Sequence, residues 1–400
     1  MSVRVGVVGA GPVGAVAAIA CARRGMQVAL FEAEDAIDHS PRAATTHPST
    51  LEMLAELDLV DEFISLGLVA RYFELWDRDA LVARFDHDLL KDETRFPYVV
   101  QTEQHKLSEM GLRRLAGMPN ARVRLGARVL DIAQDERRVG LLVEAGEERE
   151  TEDFDYVIAC DGGRSTLRKC LDIEFEGYTW PERFLVLTTL VDVGKALGCS
   201  ERTYISDPHE WINLFKVTGD DLRGRWRAVF PVRESESDED AFSDGPVQRR
   251  LQRLVPGHPL DAVVHRNLYR VHQRVAKSFR KGRVFLAGDA AHINNPVGGL
   301  GLNCGIHDAM DLAETLDAVS SGRAGAALLD RYERRRRPLN IEYVQQQTVA
   351  NKRRLEEEDP KVRRANFDEM RRIAGDPRLH KEYLMRTSLI ESVRKARGIA

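Results

Sequence analysis

Cysteine is scarce in this 400-residue chain, and its spacing excludes several classes of protein. The five cysteines form no Cys-x-x-Cys pair and show no zinc-ligand spacing. These absences argue against a disulfide framework, a cysteine-based metal site and a dithiol redox centre, because each of them needs cysteines at short, regular spacings. We predict no metal site and expect the cysteines to serve only in packing.

Long apolar runs and an excess of one charge are also missing. The longest apolar stretch near the N-terminus, residues 9–22, contains three glycines and a proline. It is shorter than the roughly 20 residues that span a membrane, and it follows a plain strand too closely to be a signal peptide, so we predict a cytoplasmic protein. The formal net charge of −4 argues against nucleic acid or a membrane surface as a partner. The four arginines at 334–337 are the exception, and we expect them to form a solvated helix face.

A glycine-rich turn near the N-terminus carries the first functional signal. The sequence predicts a strand over residues 3–8, then Gly9-x-Gly11-x-x-Gly14, an alanine-rich helix, and a second strand that ends at Glu32. Gly9 makes the tight turn, Gly11 lets the backbone approach a pyrophosphate, and Gly14 lets the helix pack on the strand. The start of the helix attracts phosphates. Glu32 lies where a carboxylate accepts ribose hydroxyls and repels a 2′-phosphate, so the turn predicts FAD or NAD.

A second glycine-rich loop lies within residues 282–305. A short apolar run there predicts a buried strand that leads into Asp289, whose carboxylate can accept hydrogen bonds from ribityl hydroxyls. Three further glycines, Gly298, Gly299 and Gly301, let the backbone lie against a flat ring. The helix that follows directs its first amides at that ring, where they stabilise the negative charge of a reduced flavin. Because FAD is longer than NAD at its flavin end and needs a second anchor, the two loops together predict FAD.

The middle of the chain has a different pattern. Between about residues 175 and 279 strand-like stretches follow one another without βαβ units, and the segment 71–84 resembles them. We predict an α/β fold: an FAD-binding Rossmann-like (GR2-type) domain with an inserted antiparallel-sheet substrate domain and a C-terminal helical segment. The predicted boundaries are 1–72, 97–174 and 276–340 for the FAD-binding domain, 73–96 and 175–275 for the substrate domain, and 341–400 for the helical region.

Three motifs in order carry a resemblance to a known family. They are GAGPVG from residue 9, CDGGRSTLR from residue 160 and GDAAHINNPVGGLGLN from residue 288. Together they resemble the signatures of the single-component FAD-dependent aromatic hydroxylases, the para-hydroxybenzoate hydroxylase-like class A flavoprotein monooxygenases. Within that class, the stretch from Ser40 to Phe63 and the stretch ALLDRYERRRRP look most like 3-(3-hydroxyphenyl)propionate hydroxylases. The likeness spans residue 1 to about residue 340.

The resemblance implies which residues hold a non-covalent FAD. It matches Arg42 to an arginine that contacts FAD, and Gln101 to a glutamine at a helix start that reaches the ribityl and phosphate region. Asp161, Ser165 and Arg168 belong to a motif associated with FAD and with the passing nicotinamide cofactor. The cofactor-binding set is Gly9, Gly11, Pro12, Val13, Gly14, Glu32, Ala33, Arg42, Gln101, Val129, Asp161, Gly288, Asp289, Pro296, Gly299, Gly301, Leu302 and Asn303.

The resemblance also implies a reaction. NAD(P)H docks transiently and reduces FAD, which then reacts with O₂ to give a flavin C4a-hydroperoxide that hydroxylates a phenolic or other aromatic substrate. We expect the inserted sheet to supply an apolar lid that excludes water from this species. A proton relay should be present, because removal of a phenolic proton raises the electron density of the ring. The candidates are His47, His272 and Tyr269, whereas we expect His292 to be a hydrogen-bonded structural residue.

Two alternatives stay open at this point. One is a flavoenzyme of the same fold with other chemistry, such as an oxidase, a reductase or an epoxidase. The other is a non-catalytic protein that binds FAD or a ligand. The charged tail from Asn340 to Ala400, with breaks at Pro360 and Pro377, predicts two or three helices that pack on the body or on a second subunit of a homodimer.

Overall fold

The computed structural model describes residues 2–40 and 44–400. Its strands are β1 (Arg4–Val8), β2 (Gln27–Phe31), β3 (Thr45–Thr46), β4 (Leu68–Ala70), β5 (Tyr72–Asp77), β6 (Ala80–Asp86), β7 (Val99–Gln101), β8 (Ala121–Arg124), β9 (Ala127–Gln134), β10 (Val139–Ala145), β11 (Glu148–Phe154), β12 (Tyr156–Ala159), β13 (Phe175–Thr189), β14 (Arg202–Ser206), β15 (Ile212–Val217), β16 (Arg225–Val232), β17 (Val263–Ala276), β18 (Arg280–Lys281), β19 (Val284–Leu286) and β20 (His292–Ile293). Its α-helices are α1 (Pro12–Arg23), α2 (Pro48–Glu56), α3 (Val60–Ser65), α4 (Gln104–Ala116), α5 (Thr166–Cys170), α6 (Val193–Leu197), α7 (Asp238–Phe242), α8 (Asp244–Leu254), α9 (Gly301–Ser320), α10 (Leu329–Asn340), α11 (Gln346–Glu356), α12 (Pro360–Gly375), α13 (Pro377–Thr387) and α14 (Ile390–Arg397).

The first domain is built on a six-stranded sheet in the order β18-β19-β12-β1-β2-β8. Its five longest strands pair in parallel, and β18 adds an antiparallel edge. The central strands are continuous apolar runs because both faces of the sheet are covered. Helix α1 packs against α4 and α9, while the sheet β11-β10-β9 contributes Leu141 and Phe154 against Gly6 of β1. The carboxyl ends of β1, β12 and β19 therefore lie side by side at one edge.

The second domain is an eight-stranded sheet in the order β20-β17-β13-β16-β15-β14-β5-β6. Its pairs are antiparallel except for β14 with β5, which run in parallel. The sheet thus combines strands from residues 72–86 with strands from residues 175–276, as the sequence pattern predicts. The mixed α/β fold with an inserted sheet is confirmed. The exact residue boundaries of the domains stay predictions.

The alternation of β13 shows how the inserted sheet divides two cores. Phe184 and Val186 face a cluster that includes residues of the C-terminal helices, whereas Leu185 and Leu187 face a cluster that includes α8. This division follows from the period of two along a strand. Both faces of the sheet are therefore covered, and the C-terminal helices cover the face that also carries Phe73.

The C-terminal segment packs on the body of the chain. Pro360 and Pro377 are the first residues of α12 and α13, and the side chains of Asp359 and Asp376 cap these helices. The predicted breaks are confirmed, although the segment after residue 345 forms four helices rather than two or three in the part described. Helix α11 packs against β14, and α12 packs against β6. None of the helices described combines the length and apolar character needed to cross a lipid bilayer.

The arginine run at 334–337 is only partly solvated. The expectation of a solvated helix face was wrong for Arg335 and Arg336. Arg335 and Arg336 are buried in α10. The Arg336 Nε donates to a carboxylate oxygen of Asp308 in α9 at 2.7 Å. The same carboxylate accepts the backbone N–H of Gly288 at 3.1 Å and contacts the His292 Nε2 at 2.7 Å. The hydrogen-bonded role predicted for His292 is confirmed.

The charges in this cluster stabilise one another because all three side chains are buried. Burial disfavours a charged imidazole, but the Cys304 sulfur and the Asp308 carboxylate outweigh it and raise the pKa of His292 to about 10. Burial also opposes the Asp308 carboxylate, but His292 and Arg336 together hold its pKa below the usual value. The cluster is therefore ionised at neutral pH, and it joins α9 and α10 to the turn after β19.

Removing the arginine from this cluster should destabilise the protein. We expect Arg336→Met to lower the free energy of unfolding by about 3–5 kcal/mol, because it leaves a buried carboxylate with one cationic partner fewer. Urea denaturation followed by circular dichroism measures this change. Arg334→Met is the matched control, since Arg334 is an exposed neighbour in the same helix. Equal stability of the two variants would contradict the role given to Arg336.

Other buried histidines are neutral and make the protein sensitive to acid. Burial, followed by the charge of Arg202, lowers the pKa of His87 to about 3. Burial and the charge of Arg336 lower the pKa of His307 to about 3, and burial also lowers that of His47. The unfolded chain binds protons at these side chains below about pH 6.5, whereas the folded chain does not. Stability should therefore fall as the pH drops from about 6.5 toward 3.

We expect this loss to reach about 1.4 kcal/mol per pH unit for each of these histidines. His292 does not oppose it, because its raised pKa leaves it protonated in both states below pH 6. His87→Asn, which keeps a donor for the Arg71 carbonyl, should flatten the dependence of the urea midpoint on pH between 7 and 5. The exposed control His258→Gln should leave the slope unchanged. An equal slope in His87→Asn and the unmodified protein would contradict this account.

Candidate active site

The first glycine turn lies at the carboxyl end of β1. Gly9 has a φ of +99°, and its N–H donates to the carbonyl of Phe31 at the end of β2 at 2.7 Å. A Cβ on Gly14 would collide with the Gly9 carbonyl, so only glycine allows α1 to pack this closely on the strand. Gly11 caps α1 and Pro12 is its first residue. A Cβ on Gly11 would meet no atom within 4 Å, which leaves open space beside the start of the helix.

Glu32 follows β2 and lies next to this turn. One of its carboxylate oxygens accepts the N–H of Ala10 at 2.7 Å, and the other accepts the N–H of Glu34 at 3.1 Å. Glu32 and Ala33 are half-exposed, so ligand hydroxyls can reach them. A helix start and an accessible carboxylate thus lie side by side, as a bound adenosine diphosphate requires.

The second glycine turn contacts the first. Gly288, at φ +58°, follows β19, and a Cβ on it would lie 3.0 Å from the Val13 Cγ2. A Cβ on Gly305 of α9 would lie 2.6 Å from the same methyl group. Asp289 is exposed between these buried residues. The two glycine turns are therefore close enough to contact the same cofactor molecule.

The motif at 160–168 joins both turns. The carbonyl of Cys160 lies directly beside Gly9. Asp161 accepts the Ser165 hydroxyl at 2.6 Å, and burial raises the pKa of this carboxyl. Arg168 donates to the carbonyl of Ala290 at 2.8 Å and stacks on the Phe175 ring, 3.8 Å from its centroid. The three motifs thus converge at one edge of the six-stranded sheet.

Asn303 connects the glycine-rich turn at 298–301 to a distant part of the chain. Its side-chain amide donates to the carbonyls of Thr45 at 2.9 Å and Gly299 at 2.7 Å. Its side-chain oxygen accepts the N–H of His47 at 2.8 Å. The preceding turn closes with a hydrogen bond from the Gly299 N–H to the Pro296 carbonyl at 3.0 Å. Gly301 and the half-exposed Leu302 then begin α9.

Three other predicted cofactor residues are not seen at the glycine turns. Gln101 is the last residue of β7 rather than a residue at the start of α4, and its side chain is buried between Thr45 and the carbonyl of Glu201. The Val129 side chain is buried in β9. Arg42 lies outside the described residues. These three assignments stay predictions.

The candidates for a proton relay lie in different surroundings. His47 is buried, and its Nε2 donates to the carbonyl of Gly298 at 3.1 Å, while its Nδ1 has no partner among the described residues. The Nδ1 of His272 is 2.9 Å from the Thr179 hydroxyl on the neighbouring strand. Tyr269 packs near Phe184, and burial raises the pKa of its phenol. Of the three candidates, only His47 forms a hydrogen bond with the glycine-rich turn at 298–301.

A narrow pocket lies beside Gly298 between the inserted sheet and the C-terminal helices. Its volume of about 20 Å³ holds about one water molecule, so an aromatic ring enters only when lining side chains move. Its lining residues are Phe73, His87, Arg202, Tyr204, Gly298, Leu300, Gln347, Asn351, Tyr383, Leu384 and Thr387. The Tyr204 hydroxyl accepts the Gly298 N–H at 2.9 Å. Neither His272 nor Tyr269 lines this pocket. The expected cover over the site comes only partly from the inserted sheet, because α11 and α13 form the opposite wall.

Sequence reasoning missed Arg202, His87 and the residues of α11 and α13. Arg202 is one arginine in a strand, and His87 begins a single helical turn, so neither carries a local motif. Arg202 lies in a strand of mixed polarity, Arg-Thr-Tyr-Ile-Ser, so its neighbours in the sequence do not mark it either. The pocket forms because β14, β5 and the C-terminal helices meet in the folded chain.

Comparisons with known proteins agree with this geometry. A family model described as FAD binding domain matches residues 2–347. Para-nitrophenol 4-monooxygenase of Pseudomonas sp. (strain WBC-3) is 34% identical over 380 residues, which cover 93% of this chain and 92% of that protein. The crystal structure of p-nitrophenol 4-monooxygenase PnpA from Pseudomonas putida DLL-E4 has a TM-score of 0.89 and 32% identity, with 98% of each chain covered.

The likeness to 3-(3-hydroxyphenyl)propionate hydroxylases is also confirmed. A 3-(3-hydroxy-phenyl)propionate/3-hydroxycinnamic acid hydroxylase of Mycobacterium sp. (strain JLS) is 31% identical over 340 residues, covering 83% of this chain and 56% of that protein. The para-nitrophenol relative is thus more similar, and it matches over nearly its whole length. The chain belongs to the FAD binding domain family and is an FAD-dependent monooxygenase that hydroxylates an aromatic substrate, with NAD(P)H as the reductant typical of that family.

Proposed function

We propose that this enzyme hydroxylates a small phenol that binds as its phenolate in the pocket beside Gly298. The observation that carries this proposal is the buried guanidinium of Arg202 in the pocket wall. Its Nη2 donates to the Gly298 carbonyl at 3.3 Å, and it lies over the Phe73 ring at 5.0 Å from the centroid. Within residues 2–40 and 44–400, no carboxylate forms an ion pair with it.

A buried cation without an anionic partner is energetically costly, and an anionic ligand offsets that cost. A phenolate supplies this charge on the ring that reacts. Ionisation also raises the electron density of the ring, which favours attack by an electrophilic oxygen. Arg202 therefore both binds the substrate oxygen and favours its ionised form.

The residues at the turns fit an FAD. The start of α1, with open space beside Gly11, would hold the pyrophosphate, and Glu32 would accept the ribose hydroxyls. The exposed Asp289 would accept the ribityl hydroxyls. The backbone from Gly298 to Asn303, held by the Asn303 amide, would lie against the flavin ring. When bound, the reduced flavin activates O₂ and supplies the oxygen atom that enters the substrate.

The protein's own contribution is to orient the substrate, exclude water and accept a proton. Phe73, Leu300 and Leu384 provide apolar walls that limit water at the reacting ring. The Nδ1 of His87 donates to the Arg71 carbonyl at 2.8 Å, so its Nε2 is unprotonated in the neutral ring. We assign this nitrogen as the acceptor of the phenolic proton. A phenolate beside it would offset the desolvation of the imidazolium and raise the low pKa of His87.

The names of the relatives support a small phenol as substrate. The relative of highest identity among those described is named for para-nitrophenol, and the other for a hydroxyphenyl acid. The homodimer and the cytoplasmic location predicted from sequence stay predictions.

A screen of para-substituted phenols tests this function. NAD(P)H oxidation should accelerate with the right phenol, and mass spectrometry should find one added oxygen or the product of ring hydroxylation with loss of the para substituent. The matching methyl ethers, which cannot ionise, should bind poorly and give no product. Turnover of the ethers at the rate of the phenols would contradict phenolate binding.

Loss of the pocket cation should impair turnover of the phenol selectively. We expect Arg202→Gln to lower kcat/KM by about 10- to 100-fold, since a charge-assisted hydrogen bond contributes about 1.5–3 kcal/mol. Arg202→Lys should retain part of the activity because it keeps the charge. The control Arg353→Gln replaces an exposed arginine of α11 and should leave kcat/KM unchanged. Unaltered kcat/KM in Arg202→Gln, with bound FAD, would exclude this role.

Blocking the first turn should remove FAD without unfolding the chain. We expect Gly11→Val to be purified with an FAD-to-protein absorbance ratio close to zero, because its side chain would occupy the space beside the start of α1. Gly325→Val is the control, since a Cβ at Gly325 also meets no atom within 4 Å. Both variants should give the circular dichroism of a folded protein. Full FAD occupancy in Gly11→Val would show that the pyrophosphate lies elsewhere.

A further inference from the structure

Two histidines and two carboxylates meet on the surface at a place that the reaction does not use. His39 lies in the segment after β2, and His105 and Glu109 lie on the first turns of α4. Asp220 lies in the loop between β15 and β16. Three segments that are distant in sequence thus bring four potential metal ligands together.

The geometry of the cluster is specific. The imidazole rings of His39 and His105 stack with centroids 4.1 Å apart and an interplanar angle of 9°. The His39 Nε2 is 2.8 Å from the Glu109 Oε1, and the His105 Nε2 is 3.3 Å from the Asp220 Oδ1. One ligand atom from each of His39, His105 and Asp220 lies within 4.8 Å of the other two.

We propose that His39, His105 and Asp220, with Glu109 as a fourth ligand, form a binding site for a divalent transition metal ion of the zinc class. Imidazole nitrogen and carboxylate oxygen are both ligands of Zn²⁺, and four of them complete a tetrahedral shell. Each Nε2 already faces a carboxylate, so the metal ion would take the place of the shared proton. This site is separate from the substrate pocket beside Gly298.

The cluster can close around an ion with small movements. A tetrahedral zinc site with bonds of about 2.0–2.1 Å separates its ligand atoms by roughly 3.3 Å. His105 is the fixed ligand, because its side chain is only 6% exposed, whereas those of His39 and Asp220 are 57% and 78% exposed and can rotate toward it. The site therefore combines one rigid ligand with flexible partners.

The local charges also favour a dication. In the part of the chain that the structure describes, neither Glu109 nor Asp220 forms an ion pair with a lysine or arginine. The nearby Lys106 is paired with Glu103 at 2.8 Å. Two carboxylates and two neutral imidazoles balance the charge of one Zn²⁺.

A bound ion would connect the segment after β2 to α4 and to the β15–β16 loop. That segment begins at Glu32, so the ion would link the residues that follow the predicted ribose contact to α4.

Isothermal titration of the untagged holoenzyme with ZnCl₂ tests the proposal. We expect one Zn²⁺ per chain, and a dissociation constant that rises about tenfold or more in His39→Gln, His105→Gln and Asp220→Asn. The control His258→Gln replaces an exposed histidine elsewhere and should bind as the unmodified protein does. Zn²⁺ should also raise the Tm of the unmodified protein and of the control, but not of His39→Gln.

The exposed position of His39 keeps the test decisive even if substitution of buried His105 disturbs folding. The FAD absorbance and the Tm without zinc verify that His39→Gln is folded. Absence of Zn²⁺ binding in the unmodified protein would overturn the proposal. Binding of unchanged affinity in folded His39→Gln and Asp220→Asn would overturn it as well, because the ion would then lie elsewhere.

Discussion

The buried carboxylate of Asp308 holds together the elements on which the active site depends. It accepts the N–H of Gly288 and pairs with His292 and Arg336, so it connects α9, α10 and the turn after β19. A buried charge is stable only when it is paired and hydrogen-bonded. Here His292 and Arg336 supply the opposite charges, and the Gly288 N–H supplies a further hydrogen bond. The second glycine turn is consequently fixed against Val13 of the first, which brings the two parts of the cofactor cradle together.

The active site is assembled from segments that are far apart in the chain. Asn303 bonds to Thr45, His47 and Gly299, and therefore couples the start of α9 to the segment before α2. The Gly298 carbonyl then accepts hydrogen bonds from both His47 and Arg202. One glycine-rich loop is thus fixed by the FAD-binding domain on one side and by the inserted sheet on the other. Such positioning keeps a flat ring and a substrate in a constant relation.

The C-terminal helices form one wall of the pocket beside Gly298. Helix α11 packs on β14, and α13 contributes Tyr383, Leu384 and Thr387 to the wall opposite Arg202. They also bury the face of the sheet that carries Phe73 and Phe184. The pocket therefore combines apolar side chains with the buried cation of Arg202, and the proposal of a phenolate substrate rests on this combination. The proposed zinc-class site, between α4 and the β15–β16 loop, shares no residue with that pocket.

Features with a local spacing could be predicted from the sequence. The glycines at 9, 11 and 14, the acid at 32 and the motif at 288–303 determine backbone turns over a few residues, and those turns specify the cofactor class. The alternation of strands and the prolines at 360 and 377 likewise determined the fold class and the breaks between the last helices. Glycine spacing and proline positions act through neighbouring residues, so their consequences do not depend on how the rest of the chain folds.

The side chains that meet across domains were decided only by the tertiary structure. Four consecutive arginines gave no sign that Arg336 would be buried, because its partner Asp308 lies in another helix. Gln101 ends a strand instead of beginning a helix, since β7 pairs with β3 and β4 before α4 begins. Arg202 and His87 belong to no motif, and they line one pocket only because the inserted sheet and the C-terminal helices meet in the folded chain. The sequence by itself thus determined the fold class and the cofactor, whereas the pocket depends on long-range packing that no local pattern encodes.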